Sequence, residues 1–310
     1  MTAPLRGNDP LQRFVELANV LRASKRWWFD WTILRHAALV LTPVAGSASA
    51  LCARLLEAGE LLKQRAGWFG PLRSEGRFLV AALLLRQGDE VDDFLSEAES
   101  ARALLRSARV PRLGRGSLAE TLAILLLRRQ APGGHVLPTQ ATRFQRIYQA
   151  LRADHPFLTG RDDYPACALL CGSVRATEQI RAEIEGLYRE LLRARFKRGQ
   201  SLQAATHLLH LGGLGGAHAI ERFQRLWQAF KALGLFMHSG DYDEIALLSA
   251  LDASPQAITH LVTSQRTTIA ALSPRPSRAS SFTLAANTAF QALSTGAASE
   301  RTAPLSWAST

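Results

Sequence analysis

The sequence predicts an all-α protein made of tandem α-hairpins, and three observations support that fold class. Apolar residues recur at the 3.6-residue period of a helix through most of the 310 residues, strand-like alternation is nearly absent, and a short apolar motif returns about every forty residues. The length and the 47% apolar content allow a substantial core and exclude a wholly disordered chain.

Helical signals begin near the N-terminus and continue in order along the chain. Asp9 is placed to cap a first helix, Pro10 suits its first position, and apolar residues from Leu11 to Leu21 follow on one face. Val, Ile and Thr are scattered instead of alternating, so no sheet is expected. Further helices are expected over residues 26–41, 47–65, 73–87, 90–108, 117–130, 138–153, 161–173, 177–195, 199–211, 217–234, 240–251 and 254–264.

One apolar triplet recurs in every second helix of this series. Successive triplets are 44, 41, 45, 39 and 39 residues apart, and a glycine that permits a sharp turn stands just ahead of most of them. The triplets are Ala38-Leu39-Val40, Ala82-Leu83-Leu84, Ala123-Ile124-Leu125, Ala168-Leu169-Leu170, His207-Leu208-Leu209 and Ala246-Leu247-Leu248.

A unit of about forty residues with two helices is the pattern of an α-hairpin repeat. One hairpin cannot bury its own apolar face, so neighbouring hairpins must stack and share a core. The triplet helix is apolar almost all round, which predicts that it is the buried member of each pair, and its alanine lets the partner helix approach closely. The pattern predicts a solenoid or similar helical array, that is, an open superhelix, and a closed α/α ring stays open as an alternative.

The chain divides into one long helical domain and shorter end segments. The helical repeat domain is expected over residues 9–271, after a disordered N-terminus at 1–8. Two prolines mark a linker at 272–280, and a C-terminal helix is compatible with the pattern over 281–293. The Ser-, Thr- and Ala-rich tail 294–310 is expected to be disordered.

Several motifs carry a family resemblance, and the most specific is the string His-Pro-Phe-Leu-Thr-Gly-Arg-Asp-Asp-Tyr-Pro at 155–165. The other motifs are Phe29-Asp30-Trp31 with Leu34-Arg35-His36-Ala37-Ala38, Gly67-Trp68-Phe69 with Gly76-Arg77-Phe78 and Ala81-Ala82-Leu83-Leu84, residues 200–207 with Leu209, and Asp241-Tyr242.

Together these motifs resemble an uncharacterised bacterial family, domain of unknown function 4003, over roughly residues 20 to 290. The resemblance implies a helical fold and brings no activity with it. The Arg- and Ala-rich composition and the low-complexity tail depart from the family.

The composition restricts the compartment and the partners. Lys and Arg number 37 against 26 Asp and Glu, a formal net charge of +11, and all but four of the basic residues are arginines. Such a charge is compatible with nucleic-acid binding, but a GC-rich genome also produces an Arg-, Ala- and Leu-rich protein. We expect a cytoplasmic protein with free thiols, because three cysteines cannot form a disulfide framework, no secretory signal is recognisable and no apolar run reaches eighteen residues.

The loop from His155 to Tyr164 is the richest in chemically active side chains. Asp162 and Asp163, near His155 and Arg161, could act as acid and base or hold a metal ion; the structural alternative is that one aspartate caps the helix beginning near Tyr164. The same design recurs two hairpins later, and equivalent loops of stacked repeats would form one polar rim. The candidate rim residues are Arg73, Arg77, His155, Arg161, Asp162, Asp163, Tyr164, Asp241, Tyr242 and Asp243.

Other constellations favour a structural interpretation, so no metal and no cofactor is expected. Cys167 and Cys171 share one helix face and His207 and His210 another, but zinc fingers use closer cysteine pairs in loops. The glycines at 212–216 lack the residues of a phosphate-binding fingerprint and are expected to form a turn. An aromatic cluster beside two basic residues is expected to cap the end of the helix stack: Trp27, Trp28, Phe29 and Trp31.

We therefore expect a non-catalytic binding or scaffold protein, because stacked hairpins present concave surfaces that suit a protein or peptide partner. No membrane association is expected. Two alternatives stay open. An enzyme would need Asp162, Asp163 and Asp241 to converge in a helical cleft, and nucleic-acid binding would need an arginine-rich face. The arginines expected on that face are Arg102, Arg106, Arg109, Arg112 and Arg115.

Overall fold

The protein is all-α, as predicted. The structure is a computed structural model that describes residues 9–24, 30–66, 70–110 and 117–302. Within these ranges it contains fourteen α-helices and no strand. They are α1 (Pro10–Ala23), α2 (Trp31–Leu41), α3 (Ala48–Arg65), α4 (Arg77–Gln87), α5 (Val91–Ser107), α6 (Leu118–Gln130), α7 (Pro138–Asp154), α8 (Tyr164–Cys171), α9 (Thr177–Arg193), α10 (Gln200–Leu211), α11 (Gly216–Ala232), α12 (Tyr242–Ser249), α13 (Pro255–Ala270) and α14 (Arg278–Thr302).

The even-numbered helices from α2 to α12 carry the apolar triplets and form the interior. The first residue of every triplet is at most 2% exposed, and most of the remaining triplet side chains are buried or half-buried. Leu169 departs from this pattern, with 38% of its surface exposed. The prediction that the triplet helices are the buried members of their pairs is therefore confirmed.

Helices of even number pack on one another, and helices of odd number pack against them. Because the triplet helices hold the buried apolar residues, we call the even-numbered helices inner and the odd-numbered helices outer. α2 packs on α4, α6 on α8, and α10 on α12, while α8 also contacts α10 and α12 contacts α14. The last helix, α14, packs against α1 and α2 as well as α13. One continuous cluster of buried apolar residues runs from Phe14 in α1 to Ala289 in α14.

Three arginines of outer helices bind the chain that leaves the following inner helix, and we call these contacts the arginine clamps. Arg143 of α7 donates to the carbonyl oxygens of Cys171 (3.1 Å) and Ser173 (2.6 Å) after α8. Arg222 of α11 donates to Ser249 (2.9 Å) after α12. The clamps satisfy carbonyl groups that a helix C-terminus leaves without a partner. The remaining clamp bonds join Arg13 to Gly46, Arg143 to Arg175, and Arg222 to Leu251 and Ala253.

Two inner helices begin later than the sequence pattern predicts, because an aspartate closes a 3₁₀ turn first. Asp163 accepts from the backbone N–H of Gly160 at 2.8 Å, and Asp241 accepts from that of His238 at 2.6 Å. The turns are Arg161–Asp163 and Ser239–Asp241, and α8 and α12 start at the next residue.

The C-terminal boundaries also differ from the sequence-based expectation. Helix α14 begins inside the segment 272–280 expected to be a linker, since Ser277 caps it by accepting from the backbone N–H of Ser280 at 3.0 Å. The helix continues to Thr302, into the tail expected to be disordered, because alanine is the strongest helix former. Residues 1–8, the aromatic residues 27–29 and residues 303–310 lie outside the described ranges.

Among the described residues, none of the helices combines the length and the hydropathy that a bilayer span requires.

Loss of an arginine clamp should destabilise the fold. We expect Arg222→Gln to lower the free energy of unfolding by about 1–3 kcal/mol, because the carbonyl oxygens beyond α12 lose their donor. Arg225→Gln, on the same helix with a side chain 67% exposed, is the control and should change it by less than about 0.5 kcal/mol. Urea unfolding of both variants measures the difference, and equal losses would contradict the role of the clamp.

Candidate functional site

The structure buries four of the ten side chains expected on a polar rim. The prediction that they lie on one solvated rim is therefore wrong for these four residues, because the helices that carry them begin within the packed interior and not at its edge. The exposed fractions are 0% for Tyr164, 3% for Asp163, 4% for Tyr242 and 5% for Arg77.

The two tyrosines are buried because each anchors an outer helix through its aromatic ring. The Tyr164 ring lies 5.3 Å from that of Tyr148, and the Tyr242 ring lies 5.2 Å from that of Trp227, both edge-on. The Tyr242 hydroxyl accepts from the backbone N–H of Lys197 at 3.0 Å. Burial raises the pKa of Tyr164 to about 12, so this phenol is a neutral core group.

Asp163 belongs to a buried polar layer between α8 and α10. Its carboxylate accepts from Gly160 and from the Gln200 side-chain amide, at 3.2 Å for the Oδ1 atom. His207 Nδ1 lies 4.0 Å from that oxygen, beyond hydrogen-bond distance, and neither ring nitrogen of His207 has a partner. Burial lowers the pKa of His207 to about 4 and raises the pKa of Asp163. The layer joins two inner helices, with Asp163 and His207 buried and Gln200 at its exposed end.

The remaining candidate carboxylates have separate surroundings. Asp241 closes its own turn through His238, whereas Asp162 is exposed at the surface. His155 binds Glu185 of α9, with 2.9 Å between Nε2 and Oε2. The three aspartates required for the enzyme alternative therefore serve different local structures. The other two candidates, Arg73 and Arg161, are exposed and half-buried, respectively.

The carboxylate of Asp243 is half-buried, and one of its oxygen atoms lacks a hydrogen-bond donor. Its Oδ1 atom is shielded from solvent and accepts no hydrogen bond. The neighbouring Glu244 accepts from the Thr283 hydroxyl of α14 at 2.6 Å. Burial, followed by the charge of Glu244, raises the pKa of Asp243 to about 7. This carboxyl therefore titrates near neutrality.

The expected arginine face loses a member to an internal ion pair. Arg102 of α5 binds Glu120 of α6 at 3.1 Å, and Glu120 is only 2% exposed. Arg106 and Arg109 are exposed, and Arg112 and Arg115 lie outside the described ranges. Arg102 thus joins two helices instead of facing a ligand.

A cleft of about 720 Å³ opens between the outer helices α9 and α11, and its size lies within the range of ligand sites. We call it the α9–α11 cleft. His210, near the end of α10, and the glycine turn before α11 also line it. Its lining residues are Arg175, Glu183, Gly186, Leu187, Glu190, His210, Gly213, Leu214, Gly215, Gly216, Ala217, Ile220, Glu221 and Gln224.

The cleft combines an apolar base with an acidic rim in a chain whose net charge is +11. Leu187, Leu214 and Ile220 supply the apolar surface, and three glutamates line the walls. His210 Nδ1 lies 3.3 Å from Glu183, and burial lowers the pKa of His210 against the opposing effect of that carboxylate. Each glutamate binds an arginine, namely Arg175, Arg193 and Arg225 in turn, but only Arg175 lines the cleft, so carboxylates outnumber guanidinium groups on its surface.

Gly186 keeps the cleft open on the α9 side. It lies in the interior of α9, where glycine costs about 1 kcal/mol relative to alanine. A Cβ atom at this position would meet no other atom within 4 Å, so packing does not require glycine here. A larger side chain would instead occupy the cleft.

Residues 20–272 match the model of a family described as "Protein of unknown function (DUF4003)". The chain belongs to this family. The match runs from the last turn of α1 to just beyond α13, so the DUF4003 region contains the whole α9–α11 cleft and excludes α14. No curated protein and no solved structure matches the chain.

The cysteines of this DUF4003 protein are unsuited to nucleophilic chemistry in their present surroundings. Burial raises the pKa of Cys52 to about 11 and that of Cys171 to about 12, and it raises the pKa of Cys167 well above the ordinary value. All three are free thiols, which stay protonated at pH 7.

Sequence reasoning did not identify the cleft, although two of its signals are visible in the sequence. Gly186 interrupts an otherwise amphipathic helix, and the glycines at 212–216 lead into the next one. Neither signal reveals that α9 and α11 stand apart, since their spacing is a property of tertiary packing.

Asp243 should make stability depend on pH. Its folded pKa of about 7 exceeds the unfolded value near 4, so its contribution to stability is fully present below about pH 4 and is lost as the pH rises through about 7. We expect Asp243→Asn to be more stable than wild type at pH 8 by about 2–4 kcal/mol, and this advantage should fall to near zero at pH 4. Urea unfolding of both proteins across this range checks the prediction, and a difference independent of pH would contradict it.

Proposed function

We propose that this DUF4003 protein is a non-catalytic binding protein, and that the α9–α11 cleft receives a segment of a protein partner carrying an apolar side chain flanked by basic residues. The observation that carries the proposal is the pairing of an apolar base with an acidic rim in a cleft of about 720 Å³. An apolar centre surrounded by polar groups is the usual anatomy of a recognition surface.

The rim glutamates are suited to exchange their present partners for a ligand. Glu190 binds Arg193 one turn along α9, and Glu221 binds Arg225 at 2.5 Å on α11. All four side chains are at least 51% exposed, and such surface pairs contribute only about 0.2–1 kcal/mol each. A lysine or arginine of the partner can therefore replace them at little cost.

We also propose that the hairpins form a closed α/α ring of seven units, with the even-numbered helices inside. The contacts of α14 with α1 and α2 support closure, as does a hydrogen bond from Gln291 to the carbonyl oxygen of Leu39 at 3.2 Å. Arg35 of α2 donates in addition to the carbonyl of Pro274, just ahead of α14. These contacts join the two ends of the chain, which an open solenoid leaves apart.

We favour a protein ligand over catalysis and over nucleic-acid binding, because residues that those two alternatives require already bind other groups within the protein. Asp163 and Asp241 bind their own turns, and Arg102 binds Glu120. We further propose a cytoplasmic location, supported by three free cysteines in the described structure. Recovery of the protein from the medium or the membrane fraction of its native cell would contradict that location.

Deletion of residues 278–310 tests ring closure. A closed ring predicts that the loss of helical circular dichroism exceeds the share of the deleted residues, because α1 and α2 lose the surface that covers them. It also predicts that α1 and α2 lose protection from hydrogen exchange. An open solenoid predicts that the loss of structure and of protection stays confined to α12 and α13, which pack on α14 in either architecture, and this result would contradict closure.

Selection of peptides from a random phage library tests the cleft. We expect wild type to enrich peptides in which an apolar residue lies beside Lys or Arg. Gly186→Phe should weaken their binding at least tenfold, roughly 1.4 kcal/mol, because the ring fills the cleft. Glu190→Gln combined with Glu221→Gln should weaken it as well, since the rim loses its charge.

Gly186→Ala is the matched control. It removes the same glycine but leaves the cleft open, and it should retain peptide binding while raising the free energy of unfolding by about 0.5–1 kcal/mol. Failure to enrich any peptide, or equal binding by the Phe and Ala variants, would overturn the proposed function.

A further inference from the structure

A second cavity, of about 810 Å³, lies between α13 and the segment that enters α14. Three arginines line it, namely Arg266, Arg275 and Arg278, and we call it the arginine pocket. None of its lining residues is acidic; the others include Thr263, Thr267 and Ser281. Its volume suits a small molecule, and its charge suits an anion.

Two of these arginines have side-chain N–H groups available to a ligand. Within the described residues, neither Arg266 nor Arg275 makes a side-chain hydrogen bond or an ion pair, whereas Arg278 donates to the carbonyl oxygen of Phe236 at 3.2 Å. Burial and the neighbouring charge of Arg278 lower the pKa of Arg266, and Asp241 opposes them only as a weaker influence. Arg266 is half-buried and Arg275 and Arg278 are exposed, so N–H donors of these side chains can be reached by an anion from solvent.

The start of α14 adds to the positive character of the pocket. Arg278 is the first residue of the helix, and Ser281 lines the pocket within its first turn. The N-terminus of a helix carries a partial positive charge from its unpaired N–H groups. The three guanidinium groups and the helix N-terminus therefore all attract a negatively charged ligand.

An aromatic wall adjoins the arginine pocket. A smaller cavity of about 190 Å³ shares Arg266 and Arg278 with it and is lined by Phe236, His238 and Phe282, with Asp241 at its edge. Phe236 is 65% exposed, its ring centroid lies 4.5 Å from that of His238, and the guanidinium of Arg278 lies 5.8 Å from the Phe236 ring. A planar group attached to an anion bound at the arginines could stack on this wall.

We infer that the arginine pocket binds the phosphate group of a small phosphate ester, and that the Phe236 wall receives a planar ring on the same molecule, as in a nucleoside monophosphate. The arginines, which bind phosphate oxygens through paired N–H groups, supply affinity. The aromatic wall supplies preference for the ring. This site is separate from the α9–α11 cleft and does not depend on the function proposed for it.

Isothermal titration calorimetry of the full chain with adenosine monophosphate, adenosine and inorganic phosphate tests the inference. We expect the monophosphate to bind at least roughly tenfold more tightly than adenosine, because only the former reaches the arginines with a charge. Arg266→Gln combined with Arg275→Gln should weaken its binding by a similar factor. Phe236→Ala should weaken the monophosphate but leave inorganic phosphate unchanged.

Arg193→Gln combined with Arg225→Gln is the matched control, since it removes the same net charge from exposed side chains outside the pocket. Its affinity for the monophosphate should stay within about twofold of wild type, and all variants should keep the wild-type thermal midpoint within a few degrees. Absence of monophosphate binding, equal binding of adenosine, or an equal loss in the control would overturn the inference. Binding of single-stranded RNA without binding of the monophosphate would overturn it too and would favour a nucleic-acid partner.

Discussion

Six helices of this chain carry a triplet of mostly apolar side chains whose exposure to water is unfavourable. The other helices are arranged so that these six are buried. Each fully buried leucine or isoleucine contributes about 1.5–3 kcal/mol to the free energy of unfolding. A single helix such as α6, in which Ile124 and Leu125 are both at most 1% exposed, is therefore stable only when other helices bury its apolar side chains. The other helix of its own hairpin cannot bury these side chains on all sides. Neighbouring inner helices and the next outer helix complete the burial, and one core results.

The polar contacts of the interior are arranged around that apolar core. The arginine clamps bind the chain at the ends of α2, α8 and α12, where a helix leaves carbonyl groups without an intrahelical partner. Asp163 and Asp241 close the turns that precede α8 and α12. The clamps thus bind an outer helix to the segment that follows its inner partner, and both the beginning and the end of α8 and of α12 are held by polar contacts.

The sequence predicted the helices, their order and the buried role of the triplets, because the 3.6-residue period and the composition of a helix are local properties. It placed the starts of α8 and α12 too early, since each is preceded by a 3₁₀ turn of polar residues, Arg161–Asp163 and Ser239–Asp241, that runs directly into the helix. The interior role of α14 was missed because Leu284, Ala285 and Ala286 are buried without repeating the triplet pattern.

The candidate sites were less accessible to sequence reasoning. Asp163 and Tyr164 attracted attention for their chemistry, but the depth at which α8 begins makes them structural. Both cavities depend on how packed helices are spaced: α9 and α11 around Gly186, and the consecutive helices α13 and α14 around Arg266. Arg275 and Arg278 lie in the segment that looked like a linker, which hid their proximity to Arg266.

Native-state hydrogen exchange measured by mass spectrometry tests most directly whether the inner helices form one cooperative interior. We predict that peptides from α2, α4, α6, α8, α10 and α12 share the slowest hydrogen exchange. The free energy of opening should be the same for all of them and equal to the free energy of global unfolding measured in urea. Exchange at a different free energy in each hairpin, or inner helices that exchange as fast as α9 and α11, would contradict it.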